Sequence, residues 1–378
     1  MEQIPMVDLK SQYLKIKDEV DAAIQEVLDS TAFVRGEAVS RFQRHFEEYL
    51  GVKHVIPVGN GTDALQIALM SLGLRPGDEV ITPTFTFVAT VEVVALLGLT
   101  PVFVDVDPYT FCMTPEAVER AITPKTKAIV PVHLFGQNAE MEAILKIAEN
   151  HHIFVVEDAC QSIGSVYKFS DGIVKKSGCM GHFGCTSFFP SKNLGCFGDG
   201  GALFTDDDDL TDVARCMANH GMKLRYHYDR VGVNSRLDSL QAAILDVKLR
   251  HLDEYISHRM ASASVYDKGL SNIPQVVIPR KSSRSTHSYH QYTIQVPAEK
   301  RDSLQKFLRE NGIPSMIYYP IPLHLQKAYG HYGYKSGDFP VAERLSREVL
   351  SLPMHSELQD DVSAFILQKI QEFFAESV

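Results

Sequence analysis

Three polar residues or turns, far apart along the chain, have the types and settings that chemistry requires. Lys192 lies in SFFPSKNLG (residues 187–195), after an apolar run and before a loop that contains Gly195, Gly198, Gly200 and Gly201. A lysine held in a partly dry pocket gives up its proton more easily and can form a Schiff base with a carbonyl, whereas most lysines are simply solvated. Asp158 closes the apolar run IFVVE and precedes Ala159, Cys160 and Gln161. A carboxylate there can pair with the protonated ring nitrogen of an electron-sink cofactor such as pyridoxal phosphate, or it can merely cap the following helix. The third feature is the GNGTD turn of residues 59–63, set between a strand pattern and a helix pattern. Its glycines let backbone N–H groups approach a phosphate, and the helix N-terminus adds a favourable dipole. The same turn with Thr or Asp as N-cap needs no ligand, and it lacks the GxGxxG spacing of a dinucleotide fold.

The elements that must position these residues are readable in the hydrophobic pattern. Between about residues 53 and 158, apolar runs alternate with helix-period segments: HVIPV then TDALQIALMSLGL, EVITP then TVEVVALLG, PVFVDV then PEAVERAI, KAIVPV then EMEAILKIAEN, then IFVVED. That alternation predicts an α/β domain with a mostly parallel sheet, in which ligands bind at the carboxyl ends of the strands. Residues 168–181 read as a loop, and CTSFFPSKNLGCFGDGGALFT (residues 185–205) as strand, loop and strand, with a helix from about Leu210. The run from Asp206 to Asp209 reads as the solvated acidic start of that helix and carries no chemistry. Residues 245–270 predict one long amphipathic helix, leading into the patterns HQYTIQV, SLQKFLREN and DDVSAFILQKIQEFF. The expected organisation is a large domain over residues 1–248 and a smaller C-terminal α/β domain over 249–378, with the N-terminal segment free to pack on the smaller one. With no repeat, low-complexity tract or structureless linker, the two are expected to pack as one body.

Composition narrows the function classes. The 378 residues are 45% hydrophobic and carry a formal net charge of -10, which argues against a nucleic-acid or anionic-membrane surface. MEQIPMVDLKSQYLKIKDEV has no apolar core of signal-peptide length, and no run approaches the roughly 20 apolar residues of a membrane span, so a cytoplasmic location is expected. The six cysteines (Cys112, Cys160, Cys179, Cys185, Cys196, Cys216) include no CxxC pair, so neither disulfides nor a structural zinc is expected.

Taken together, a phosphate-type turn, a strand-end carboxylate and, 34 residues later, a lysine in a glycine-rich loop follow the order found in fold-type I pyridoxal-phosphate enzymes. The sequence resembles the DegT-type nucleotide-sugar aminotransferases nearly end to end. The resemblance is carried by IPMVDLKSQY (4–13), GNGTDAL (59–65), GDEVITPTFTFVAT (77–90), VEDACQSIG (156–164), TSFFPSKNLGCFGDGG (186–201), VGVNSRLDSLQAAI (231–244) and YPIPL (319–323). Within that family it most resembles the UDP-2-acetamido-2-deoxy-3-oxo-glucuronate 3-aminotransferases of bacterial surface-polysaccharide (O-antigen) pathways.

The resemblance implies an aspartate aminotransferase-like fold and a pyridoxal phosphate that alternates with pyridoxamine phosphate. It makes Lys192 the Schiff-base residue and proton carrier, sets Asp158 on the pyridine nitrogen, brings Gln161 near the ring hydroxyl and stacks Phe87 on the ring. Gly61, Thr62, Asp63 and Ser187 would receive the phosphate, joined by Asn234 from the partner of a homodimer. Arg236 would meet a substrate carboxylate or diphosphate. Tyr318, Tyr319 and His324 would border the sugar, with Tyr318 standing where relatives often have His. The implied reaction moves an amino group from an amino acid, L-glutamate, to C3 of a UDP-linked 3-keto uronic acid, or alternatively to C4 or C3 of a 6-deoxy keto hexose. No metal, nucleic acid or membrane is implied. A sugar dehydratase of this fold would have His in place of Lys192, and a non-catalytic regulator would be expected to have lost Lys192 or Asp158.

Overall fold

In a computed structural model, which describes residues 4–375, the alternating pattern folds into a seven-stranded sheet. The order across it is His54–Val58, Gly201–Thr205, Phe183–Ser187, Phe154–Asp158, Thr126–Ile129, Glu79–Pro83, Thr100–Val104. The last five pair in parallel, and only Gly201–Thr205 runs antiparallel to its two neighbours. Six strands therefore end on one edge. The turn at residues 59–61, Asp158 and Ser187 all fall on that edge, as expected for an open α/β sheet.

Register brings the distant segments together: Gly201 pairs with Val58 on one side and with Ser187 on the other. A Cβ on Gly201 would stand 2.3 Å from the carbonyl carbon of Asn60, so only glycine lets the turn close over this strand. The helix Gly61–Ser71 that follows is mostly apolar, and Ala64, Leu65, Ile67, Ala68 and Leu69 are buried against the sheet with Val58, Cys185 and Leu203. A helix apolar on most sides must be covered on most sides, and this one lies between the sheet and its neighbouring helices.

The C-terminal part pairs Tyr292–Gln295 antiparallel with Val349–Leu352 and covers them with Leu252–Leu270, Ala298–Glu310 and Asp360–Ala375. Ile4 joins this core, while Ile317, Tyr318, Tyr319, Ala342, Leu345 and Val349 pack on Phe85, Phe111 and Phe135 near the sheet edge. The expected domain ends at residues 1–3 and 376–378 lie outside the described residues.

Two expectations differ from the observed elements, and one strand went unread. The single helix over 245–270 is two helices, Ser239–Arg250 and Leu252–Leu270, and the second passes from the core beside the sheet at Leu252 and Ile256 to the C-terminal core at Ala263, Tyr266 and Leu270. The loop at 168–181 holds part of a hairpin of Val166–Lys168 and Val174–Lys176. The strand Val349–Leu352 has no period-2 alternation to reveal it, since all four residues are buried. The acidic run is as expected: Asp207 caps the helix Asp208–Met217, accepting from Leu210 N–H at 2.9 Å, with Asp208 and Asp209 in its first turn. All six cysteines are free. Among the described residues no helix is long and apolar enough to cross a membrane, and no cluster of His, Cys, Asp and Glu could hold a metal.

Candidate active site

The strand-end edge opens into a cavity of about 890 Å3 whose walls include Gly61, Thr62, Asp63, Phe87, Asp158, Gln161, Ser187, Lys192, Tyr318 and Tyr319. Ten of the thirteen residues singled out in the sequence thus meet in one place, although they span 259 positions of the chain.

At one end is the helix N-terminus. Asn60 is its N-cap, accepting from Asp63 N–H at 2.8 Å, and the N–H groups of Gly61 and Thr62 have no acceptor within the helix by their position. A Cβ on Gly61 would stand 2.7 Å from Ser187 Cβ, so the glycine allows the turn to approach the strand end. Asp63 takes a different part from the one expected. Its N–H is held by Asn60 and its Oδ2 accepts from Ser235 Oγ at 2.6 Å, so it ties the turn to the segment around residue 235 instead of offering a free donor. Ser235 Oγ also accepts from Gly59 N–H at 2.9 Å.

Asp158 is buried at its strand end, accepting from Thr90 Oγ1 at 2.7 Å on one oxygen and from Cys160 N–H at 3.2 Å on the other. One bond on each oxygen leaves capacity for a further donor. Gln161 is fixed at both ends, accepting from Phe135 N–H at 2.9 Å and donating to Tyr319 Oη at 3.1 Å. Burial pushes the Tyr319 phenol above its ordinary range, so it remains a protonated donor. Phe87 follows the buried Thr84, Phe85 and Thr86, yet is 53% exposed, with its ring 6.3 Å from that of Tyr319. An apolar ring left open in a cavity is a surface on which a flat heterocycle can stack.

Lys192 Nζ stands 3.5 Å from His290 Nε2. Burial lowers its proton affinity, while the nearby Cys160 and Asp158 act in the opposite direction. His290 is buried and lines the cavity; sequence reasoning missed it, because nothing in HSYHQYTIQV links position 290 to position 192. Thr90 was missed as well, although it stands inside the quoted TFTFVAT segment.

Three expected site residues lie outside this cavity. Asn234 is exposed and paired with Asn219 in an isolated bridge. Arg236 lines a separate cavity of about 540 Å3, together with Arg35, Arg215 and Lys223. His324 is 1% exposed, and its ring is engaged by Thr84 Oγ1 at 2.8 Å and Glu343 Oε1 at 3.2 Å, so it braces the 323–325 turn from behind while Leu323 faces the cavity.

A mostly parallel sheet with a lysine, a carboxylate and a helix N-terminus converging on its strand ends defines the chain as a fold-type I transferase. The chain belongs to the DegT/DnrJ/EryC1/StrS aminotransferase family, whose family model matches residues 14–371. It is 47% identical over 355 residues to the UDP-2-acetamido-2-deoxy-3-oxo-D-glucuronate aminotransferase of Pseudomonas aeruginosa, covering 94% of this chain and 96% of the relative. It is 46% identical over 376 residues to a protein of Geobacillus stearothermophilus described as a pleiotropic regulatory protein, covering 98% of each. Among solved structures, S. venezuelae DesV in complex with a ketimine intermediate superposes with a TM-score of 0.95 at 38% identity, covering 99% of each chain.

Proposed function

We propose that this chain is a pyridoxal-phosphate-dependent aminotransferase that moves an amino group from an amino acid, L-glutamate, to the keto carbon of a nucleotide-linked sugar, with C3 of a UDP-linked 3-keto uronic acid as the acceptor. The observation that carries the reading is the convergence of Lys192, Asp158, Gln161 and the Gly61 helix N-terminus in one cavity. The Pseudomonas relative supports the acceptor. The Geobacillus relative's description raises a regulatory alternative, and the presence of both Lys192 and Asp158 in the cavity favours catalysis over it.

The residues present fit the cofactor. The free N–H groups of Gly61 and Thr62, with Ser187, suit a phosphate; Phe87 offers the stacking face; Asp158 has room for a charged N–H donor; Gln161 and Tyr319 border the ring. When bound, the cofactor supplies a carbonyl that condenses with amines and a ring that accepts the electron pair left at the neighbouring carbon. Asp158 would keep a ring nitrogen protonated, with Thr90 holding that carboxylate in place. Lys192, made less basic by burial, would hold the cofactor through its amine and would carry a proton between carbon centres.

Asn234 and Arg236 serve the neighbouring chain of a homodimer in this reading. Support comes from the exposure of Asn234 away from its own cavity, and from a flanking segment that exposes Leu224, Tyr226, Tyr228 and Val231.

Incubation with L-glutamate and a panel of 3-keto and 4-keto nucleotide sugars, with products read by mass and NMR, tests the reaction. The expected product is the 3-amino uronic acid nucleotide, and amination of 4-keto or 6-deoxy substrates alone would overturn the acceptor. Borohydride reduction followed by peptide mapping should place the cofactor on Lys192. An adduct on another lysine, or none after reconstitution, would overturn the cofactor assignment.

A further inference from the structure

His290 is in contact with Lys192 and is held in an unusual setting. It is 6% exposed, its Nε2 faces Lys192 Nζ at 3.5 Å, and its Nδ1 has no hydrogen-bond partner among the described residues. Behind it lies Arg259, also buried, on the helix Leu252–Leu270. Arg259 Nη1 donates to the carbonyls of Tyr289 at 3.0 Å, His290 at 3.5 Å and Met354 at 3.1 Å, and no carboxylate pairs with it among the described residues. A guanidinium buried without an acid is costly, and three carbonyl acceptors compensate it only in part. Its position beside the imidazole gives that cost a use.

We propose that His290 is a positioning residue for Lys192, accepting a hydrogen bond at Nε2 from the protonated Nζ, and that Arg259 fixes the His290 backbone from behind. The proposal rests on Lys192 being the proton carrier of the reaction above. Burial, then Lys192 and Arg259, hold His290 well below the ordinary imidazole range, so it stays neutral and has one lone pair to offer. Burial lowers Lys192, while Cys160 and Asp158 act in the opposite direction. With the proton of the neutral ring on Nδ1, Nε2 is the acceptor, and Nδ1–H is the group without a partner.

The consequence is mechanistic. When Lys192 takes a proton from a substrate carbon, its new ammonium lies in a site that disfavours charge. A neutral acceptor at 3.5 Å stabilises that ammonium and fixes its direction while the proton is passed on. A second cation in place of His290 would repel it, which is why the ring must not protonate.

The test reads Lys192 itself, in the full-length chain freed of cofactor. Competitive acetylation with acetic anhydride across pH, resolved by peptide mass spectrometry, yields the protonation midpoint of Lys192. His290→Phe keeps the ring volume and removes the acceptor, so the midpoint should fall by about one pH unit, the scale of one charge-assisted hydrogen bond. His290→Gln, which restores an acceptor, should return most of the fall. In holoenzyme the Phe variant should lose kcat in both half-reactions with little change in KM. An unchanged midpoint in the Phe variant, or equal falls with Phe and Gln, would overturn the proposal. If the Phe variant does not fold, the ring 15N shifts of His290 in the wild-type chain decide: a neutral ring with Nε2 unprotonated supports it, and a proton on Nε2 or titration between pH 6 and 8 overturns it. Borohydride capture on another lysine would sink the function assigned to Lys192 but leave these midpoints readable, so the two failures are distinguishable.

Discussion

Asp158 accepts one hydrogen bond on each oxygen, from Thr90 and from its own loop at Cys160, and this fixes the carboxylate rather than neutralising it. In the proposed reaction its negative charge keeps a pyridine nitrogen protonated. Asp158→Ala should therefore leave the fold intact and slow both half-reactions by about a hundredfold or more. Single-turnover kinetics with glutamate and with keto sugar check this, and near wild-type rates would reduce Asp158 to a loop cap. Thr90→Val should cost about tenfold, the share of one hydrogen bond to a charged group. Two buried histidines make a separate prediction about pH. His287 is pushed down to about 3 by burial with help from Lys281, and His355 to about 4 by burial with help from Arg259. Their folded values lie below the ordinary 6.5. Both are neutral in either state above that value, and below it the unfolded chain binds protons that the native chain refuses. Stability should fall as pH drops from about 6.5 towards about 4. Urea titrations should show a shallower fall for His287→Gln with His355→Gln than for wild type.

At the scale of elements, the site depends on where a helix begins. The GNGTD turn was legible as a helix start, and the strand before it as a strand, because local hydrophobic period and capping chemistry are properties of a short window. Which group caps was not legible: Thr62, Asp63 and Asn60 all have capping side chains, and the backbone path selected Asn60. Asn60→Ala should cost about 1 kcal/mol of stability. It should also weaken cofactor binding, since Asp63 N–H loses its acceptor and the first turn loosens where the phosphate is expected. Thermal unfolding and cofactor titration check the two effects, and unchanged cofactor affinity would mean the turn is held by Gly201 packing alone. Likewise, the segment 239–270 is continuous in its apolar content, so its break at His251 was not legible in the sequence.

At the scale of the molecule, the single-chain cavity lacks Asn234, which the family resemblance assigns to the phosphate, and Arg236. If each cavity is completed by a neighbour, two damaged chains should repair each other. Lys192→Ala removes the amine from its own site, and Asn234→Trp obstructs the partner's. In a mixed dimer one site receives both lesions and the other neither. Each variant alone should be nearly inactive. Refolded together in equal amounts, half the dimers are mixed and each retains one of two sites, giving about a quarter of wild-type activity per chain. Folded, mixed variants that regain no activity would show that the two residues serve the same cavity.

The sequence by itself determined the sheet-and-helix alternation, the strand-end placement of the turn and Asp158, and the order of turn, carboxylate and lysine that carries the resemblance. These depend on residue type and short-range spacing, which a linear string preserves. Only the tertiary structure decided that His290 meets Lys192, that Thr90 holds Asp158, that Asp63 bonds Ser235 rather than offering a free donor, and that His324 faces away from the cavity. Each of those contacts joins residues at least 68 positions apart. Such pairs are set by how the two cores pack against the sheet edge, a geometry that no local pattern of residues encodes.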